Sequence, residues 1–363
     1  MTPPIPNRIQ SALIKEGLNL ARYEAGLRRD VLKLLADLGD ELGASLSGAG
    51  LDTPRTDWQR ARLQKLLATV ERKVSEVYGQ IEGLTTTELS GLVEVSADRI
   101  VTACNDAIGA KLLQPIQWTE EQIQAIVSDT LIEGAPSAEW WTRQSADFTK
   151  AFTDQMRMGM MRGETVDQLR NRILPAVDLR KVQPGSRSLI QTARRNAEAL
   201  VRTSAITINN AAHQAAYDAN ADIMEGVEWV STLDTRTCLS CASLDGKTWD
   251  MGESHPIPSL HWNCRCFLAP KTKSWEQLAR EAGGDTRLAA ELDKIPPGDR
   301  ASMGGPVSGG TTFEQWFKDQ DEATQREILG PKKWEIWDRS GLTLNQMVSG
   351  DGRELTLAQL KAR

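Results

Sequence analysis

Four of the chain's five cysteines lie within 29 residues, with a histidine among them. Cys238-Leu239-Ser240-Cys241 comes first, and His261-Trp262-Asn263-Cys264-Arg265-Cys266 follows after a glycine-containing stretch. A C-x-x-C pair aims two thiolates from one tight knuckle at a single ion. A second pair brought up by a hairpin completes a tetrahedron, the usual way structural zinc is held. The spacing offers one ligand too many. His261 with Cys264 makes an H-x-x-C pair, whereas Cys264 with Cys266 makes a C-x-C pair whose side chains share one face of a strand. The readings Cys-Cys-His-Cys and four cysteines both stand. The metal ligands are therefore four of Cys238, Cys241, His261, Cys264 and Cys266, and zinc is the expected structural ion. Two disulfides or free thiols are the other outcomes. Disulfides need an oxidising compartment, and the opening Met1-Thr2-Pro3-Pro4-Ile5-Pro6-Asn7-Arg8 holds no apolar signal segment. A shell closed by protein ligands leaves no open position for catalysis. The zinc-deaminase pattern, H-x-E with P-C-x-x-C, is absent.

The elements around these ligands read as a small β module. Gly226 to Leu233 is rich in β-formers, Asp245-Gly246 signals a tight turn, and Lys247 to Trp249 returns as a second strand. A module of about fifty residues has little core of its own, so metal supplies much of its stability. Trp229, Trp249 and Trp262 are the side chains available to surround the site.

Before this module the chain reads as helix after helix. Ile9, Leu13, Leu20, Leu27, Val31, Leu35, Leu38 and Leu42 recur at near-helical intervals, and Gly48 to Pro54 breaks the pattern. Leu63, Leu66, Leu67, Val70, Val74, Val77, Tyr78 and Ile81 form a second stripe, and a further helix is predicted over roughly 87–113. These stripes fit either a bundle or an arm that completes its burial on a partner. Capping boxes at Thr119 and Thr165 open later helices, and a long run over 188–222 carries Asn209, Asn210 and His213. After the module, Ser274 caps a short helix, Pro296 to Gly310 reads as a flexible linker, and Thr311-Thr312-Phe313-Glu314 caps another helix. Trp316, Trp334 and Trp337 are too apolar for a solvated tail and form a small core or a docking surface.

The fold class is thus mainly α: elongated helical N-terminal and central regions, a small zinc-stapled β module and a short helical C-terminal segment. The expected divisions are a helical arm over 1–120, a central helical region over 121–225, the zinc-binding module over 226–273, and a C-terminal segment over 274–363 with its linker near 296–310.

Composition narrows function only by exclusion. The 363 residues carry a formal charge of −6, with 25% charged and 5% aromatic residues. No apolar run is long enough to span a membrane. An acidic balance argues against wrapping nucleic acid over a large surface. One stretch runs the other way: Arg170, Arg172, Arg180, Lys181, Arg187, Arg194 and Arg195 stand against Asp178 alone. It suits DNA or an acidic protein, and equally a solvated loop. P-loop, Gly-x-Ser-x-Gly and dinucleotide fingerprints are missing.

Several stretches carry a resemblance. They are Gly159 to Leu169, Arg202-Thr203 with Asn209 and Ala212, Glu228 to Cys238 with Asp245-Gly246, and His261 to Cys266. Arg300 to Val307, Phe313 to Trp316, Gln325, Leu329-Gly330 and Leu355 to Leu360 extend it. From about residue 125 to the C-terminus, the chain resembles the phage Mu F-like minor head proteins, the head-morphogenesis family of tailed phages. Trp262 stands where that family often has proline. The resemblance implies a minor structural protein of the virion that associates with the portal and with capsid or scaffold proteins in procapsid assembly. It further implies effects on genome packaging or delivery, low copy number, and location in the host cytoplasm during assembly. Genomic DNA contact would run through 170–195. No enzyme activity is expected. The competing classes are a zinc-ribbon nucleic-acid binder and an HNH-like nuclease using His255, His261 and Asn263, although no Asp-His dipeptide is present.

Overall fold

Apolar side chains recurring every three or four residues without a breaker favour helix, and the computed structural model follows that rule over most of the chain. It describes residues 5–51, 57–108, 111–174, 188–281, 286–287, 299–350 and 352–362. The fold is mainly helical, with small antiparallel sheets near the cysteine cluster. Contacts divide the chain into two compact units. One comprises Ala21–Gly91 and Glu121–Ala205, and the other comprises Met1–Leu20, Leu92–Glu120 and Ile206–Arg363. One cut of this grouping falls between Glu120 and Glu121, at the division expected at 120, whereas the division expected at 225 lies inside the second unit.

Among its described residues the first unit is helical apart from turns and one isolated bridge, Ile132 to Ala135. It takes parts of α1 (Ile5–Ser47), α2 (Asp57–Ile108) and α6 (Leu189–Asp218), all but the first residue of α3 (Glu120–Asp129), and the whole of α4 (Ser137–Met161) and α5 (Val166–Ile173). The leucine stripe of α1 is buried from Leu27 to Leu46, as are Val70, Val74, Tyr78 and Ile81 of α2. The Tyr78 ring lies 6.5 Å from Trp141 and 6.4 Å from Phe148, both on α4. Around Tyr78 the α2 stripe therefore completes its burial on the chain's own central helix α4. Thr165 and Gln168 close the expected capping box at the start of α5.

One helix, α2, replaces the two expected over 63–81 and 87–113. Thr85 sits between them, buried, and returns its hydroxyl to the Ile81 carbonyl at 2.8 Å, so the buried stripe continues through Leu89 and Val93. Packing here outweighs the weak helix preference of the β-branched run Thr85-Thr86-Thr87. The Asn105 side chain accepts from Leu112 and Leu113 N–H, both at 2.9 Å, beyond the end of the helix.

The second unit holds the β module. Strand β1 (Met224–Val230) lies between β2 (Thr248–Asp250) and β3 (Phe267–Thr272), antiparallel to both. Gly226 allows the closest approach: a Cβ there would lie 2.1 Å from the Trp249 carbonyl oxygen. The second half of α6 backs the sheet. Tyr217 donates its hydroxyl to the Leu268 carbonyl at 3.2 Å, and Asn210 donates to the Cys266 carbonyl at 3.2 Å. Asn220 clamps Gln114 by accepting from its N–H at 2.7 Å and donating to its carbonyl at 3.1 Å.

The C-terminal segment adds α8 (Trp275–Glu281), a hairpin of β4 (Asp299–Ser302) and β5 (Gly305–Ser308), then α9 (Phe313–Lys318), α10 (Glu322–Leu329), α11 (Pro331–Ser340), a 3-10 turn (Asn345–Met347) and α12 (Leu357–Lys361). The hairpin corrects the expected flexible linker near 296–310. Residues 296–298 lie outside the described residues, but 299–308 pair in register, Asp299 opposite Ser308. Gly305, at φ +120°, supplies the turn, and the buried Arg300 anchors the first strand. Helix α9 is capped one residue later than expected, by Thr312 with Gln315. The tryptophans form a core. Phe313, Trp316, Phe317, Trp334, Met347 and Leu360 cluster with Leu233, Leu239 and Ala242 of the β module.

Candidate metal centre

Strand β1 delivers the chain to a turn in which Thr237 returns its hydroxyl to the Thr232 carbonyl at 2.6 Å. Cys238 then becomes the N-cap of α7 (Leu239–Leu244), its sulfur accepting from the Cys241 N–H at 3.4 Å. Sulfur replaces the oxygen of an ordinary cap, and both thiols of the C-x-x-C pair end at one helix terminus. The expected hairpin between β1 and β2 therefore contains a helix. Gly246, at φ +77°, follows it, and the Asp245-Gly246 step leads back into β2.

The second knuckle is the turn His261–Cys264, closed by a Cys264 N–H to His261 carbonyl bond of 3.1 Å. Asn263 takes a left-handed φ of 60° there, a conformation asparagine tolerates better than most residues. Arg265 grips Asp234 with both terminal nitrogens, one contact measuring 2.8 Å, and so ties the second knuckle to the first.

The five candidate ligands meet. His261 Nε2 lies 3.2 Å from the sulfurs of both Cys238 and Cys241, and Cys241 lies 3.8 Å from Cys264. Cys241, Cys264 and Cys266 form a second close group that shares Cys241 with the first. A tetrahedral zinc with ordinary bond lengths separates two sulfurs by about 3.8 Å and sulfur from nitrogen by about 3.6 Å. The observed spacings fit such an ion with a shift of a few tenths of an ångström. All five cysteines are free thiols.

His261 Nδ1 lies 2.9 Å from the Trp262 carbonyl. A carbonyl only accepts, so Nδ1 carries the proton and Nε2 presents its lone pair to the thiols when the ring is neutral. Cys266 differs from the other thiols. It donates to the Ser231 hydroxyl at 3.5 Å, and that hydroxyl donates to the Cys241 carbonyl at 2.9 Å.

The thiols and the imidazole shift one another's proton affinities. Cys238 is lowered to about 5 by its hydrogen bond from Cys241, with His261 helping against the opposing effect of burial. Cys264 is lowered by Cys241 and then Cys266. Cys241 is raised by the same contacts with Cys238 and Cys264. His261 is raised to about 11 by the thiolate of Cys238 and then of Cys264. As thiolates and a neutral imidazole, these side chains make an electron-rich donor set for a soft divalent cation. The described residues could hold a metal here, and the ligand chemistry suits zinc.

Residues 150–269 match the Phage Mu protein F like protein family. No curated protein and no solved structure matches the chain. The Mu F-like segment contains every candidate ligand and ends inside β3. It is narrower than the resemblance seen in the sequence, which extends from about residue 125 to the C-terminus.

Other residues singled out in the sequence fall elsewhere. In the basic stretch, Arg172 is committed to Glu164 and Gln155, and Arg194 and Arg195 are exposed on α6. Arg194 lines a groove with Arg28, Arg29 and Lys33 of α1. Arg180, Lys181 and Arg187 lie outside the described residues. His255 stacks on Trp249 with centroids 5.7 Å apart. His261 faces the thiols, which removes it from an HNH arrangement. His213 is buried in α6 with Nδ1 lacking a partner. Asp245, read from sequence only as a turn residue, is instead the buried partner of Arg300, at 2.7 and 2.9 Å. Nothing local marks a pairing across 55 residues.

Proposed function

We propose that this chain is a minor structural protein of a tailed-phage virion that acts in head morphogenesis at the portal, with capsid or scaffold proteins as further partners. The observation that carries the reading is the family match over 150–269. In this reading Cys238, Cys241, His261 and Cys264 hold a structural zinc, and Cys266 stays a thiol hydrogen-bonded to Ser231. The ion cross-links the two knuckles and stabilises a module with little apolar core. Among the described residues no helix is long and apolar enough to cross a membrane. The decisive experiment compares procapsids assembled with and without portal. The protein is expected to co-purify with heads only when portal is present, and equal incorporation without portal overturns the assignment. Nuclease and peptidase assays with added metal are expected to give no turnover, and activity abolished by His255→Ala would promote the nuclease reading.

A zinc-ribbon nucleic-acid binder is the second reading, favoured by the exposed Arg194 and Arg195. Phosphate contacts would make DNA affinity fall steeply between low and moderate salt. The portal reading instead expects weak DNA binding alongside saturable binding to portal oligomers.

A further inference from the structure

Outer partners of a metal site orient its ligands, and here they trace to a residue outside the Mu F-like segment. Helix α7 faces two ways. Its N-cap Cys238 and its Cys241 turn to the ligand cluster, while Leu239 and Ala242 belong to the core built by Phe313, Trp316 and Met347. At its C-terminal end, the fully buried Asp245 carboxylate accepts the Ser231 N–H at 2.6 Å and the Phe313 N–H at 2.6 Å. It also takes the Arg300 guanidinium at 2.7 and 2.9 Å. Arg300, on β4, further donates to the carbonyls of Ser231 and of Thr311, the latter at 2.7 Å.

Ser231 is therefore held from both sides of its peptide, and its hydroxyl touches the cluster. It donates to the Cys241 carbonyl at 2.9 Å, and it accepts from the Trp229 indole at 3.0 Å and from Cys266 at 3.5 Å. A hydroxyl has one proton and two lone pairs, so these three bonds use it fully.

We propose that Arg300 is a positioning residue of the metal centre, acting through Asp245 and Ser231, so that the C-terminal segment sets the metal affinity of the module. The proposal rests on the zinc reading above. The fork of the guanidinium is essential, because it reaches two carboxylate oxygens and two carbonyls together. A lysine ammonium keeps the charge and loses that geometry.

The test uses the full chain. Zinc affinity is measured by competition with a chromophoric chelator, and the ligand field by the visible spectrum of the Co2+-loaded protein. Arg300→Lys and Ser231→Ala are expected to weaken zinc binding by about 10- to 100-fold, the usual effect of losing an outer partner, and to shift the cobalt bands. Leu360→Ala removes a side chain from the same C-terminal core without touching the network. It is expected to leave the cobalt spectrum unchanged and to weaken zinc binding less than Arg300→Lys. Wild-type affinity and spectrum in Ser231→Ala, a smaller change than replacement of the buried guanidinium, overturn the proposal even where Arg300→Lys fails to fold. Equal losses in Leu360→Ala and Arg300→Lys also overturn it, since they would mark general destabilisation. A wild-type chain that binds no zinc overturns the metal reading itself, and this proposal with it. Tight zinc binding that is indifferent to Arg300 and Ser231 sinks this proposal alone.

Discussion

His261 turns one ring nitrogen to a carbonyl and the other to two thiols, and that orientation carries the ligand proposal. Cys264→Ser is expected to lose the zinc, whereas Cys266→Ser is expected to retain about one zinc per chain, the stoichiometry of a single four-ligand site. Elemental analysis of purified, unchelated protein distinguishes these outcomes. Zinc kept by His261→Ala and lost in Cys266→Ser would instead identify a four-cysteine site. A second residue-scale consequence concerns His213, whose pKa is lowered to about 4 by burial. In the unfolded chain it titrates near 6.5, so the unfolded state takes up the proton first as pH falls. Its contribution to stability is whole above about 6.5 and is lost between there and about 4, reaching about 3 kcal/mol. Urea unfolding at pH 7.5 and 4.5 should show a smaller acid loss in His213→Leu than in the wild type. Equal losses would place the acid sensitivity elsewhere.

Among the elements, β1 tolerates least. A methyl at Gly226 would press on the Trp249 carbonyl, and backbone cannot rotate away as a side chain can. Gly226→Ala is expected to cost about 3 kcal/mol, at the upper end of overpacking, and to disturb the β1–β2 pairing. A urea midpoint close to the wild type would show that the strands can separate at little cost. The helices of the first unit illustrate how far pattern reading reaches. The stripes of α1 and α2 mark faces that are buried, because spacing of three and four residues is a local property. They do not name the surface that covers them. The proximity of Tyr78 to Trp141 and Phe148 answers that for the α2 stripe, across more than sixty residues of chain.

Over the whole molecule, the ligand-bearing module is not separable at the ends of the Mu F-like segment. Leu92–Glu120 groups in the same unit as Ile206–Arg363, and Asn105 holds Leu112 and Leu113 directly before the Gln114 that Asn220 binds. Removing residues 1–113 should therefore destabilise the metal module, contrary to what independent linear segments would give. Limited proteolysis and zinc content of the truncated chain check this. A truncated protein that keeps its zinc and a protease-resistant 206–362 fragment would show that Leu92–Leu113 is dispensable. The same truncation can be assayed for incorporation into heads, but a negative result carries weight only if the module still folds.

Features that depend on near neighbours were legible before the chain was folded. Cysteines three apart, a hydroxyl three residues before a glutamine, and leucines at helical spacing interact within one or two turns, and the knuckle at Cys238, the caps at Thr165 and Ser274 and the α1 stripe follow from them. The tertiary structure alone decided which distant pieces meet. It brought Arg300 to Asp245, turned an expected linker into a hairpin and drew Leu239 into the tryptophan core. It also gave Cys266 a hydrogen-bond partner, Ser231. These pairings are favourable only once the intervening chain has folded and excluded water, since an exposed ion pair or a lone indole gains little. No local pattern can therefore announce them.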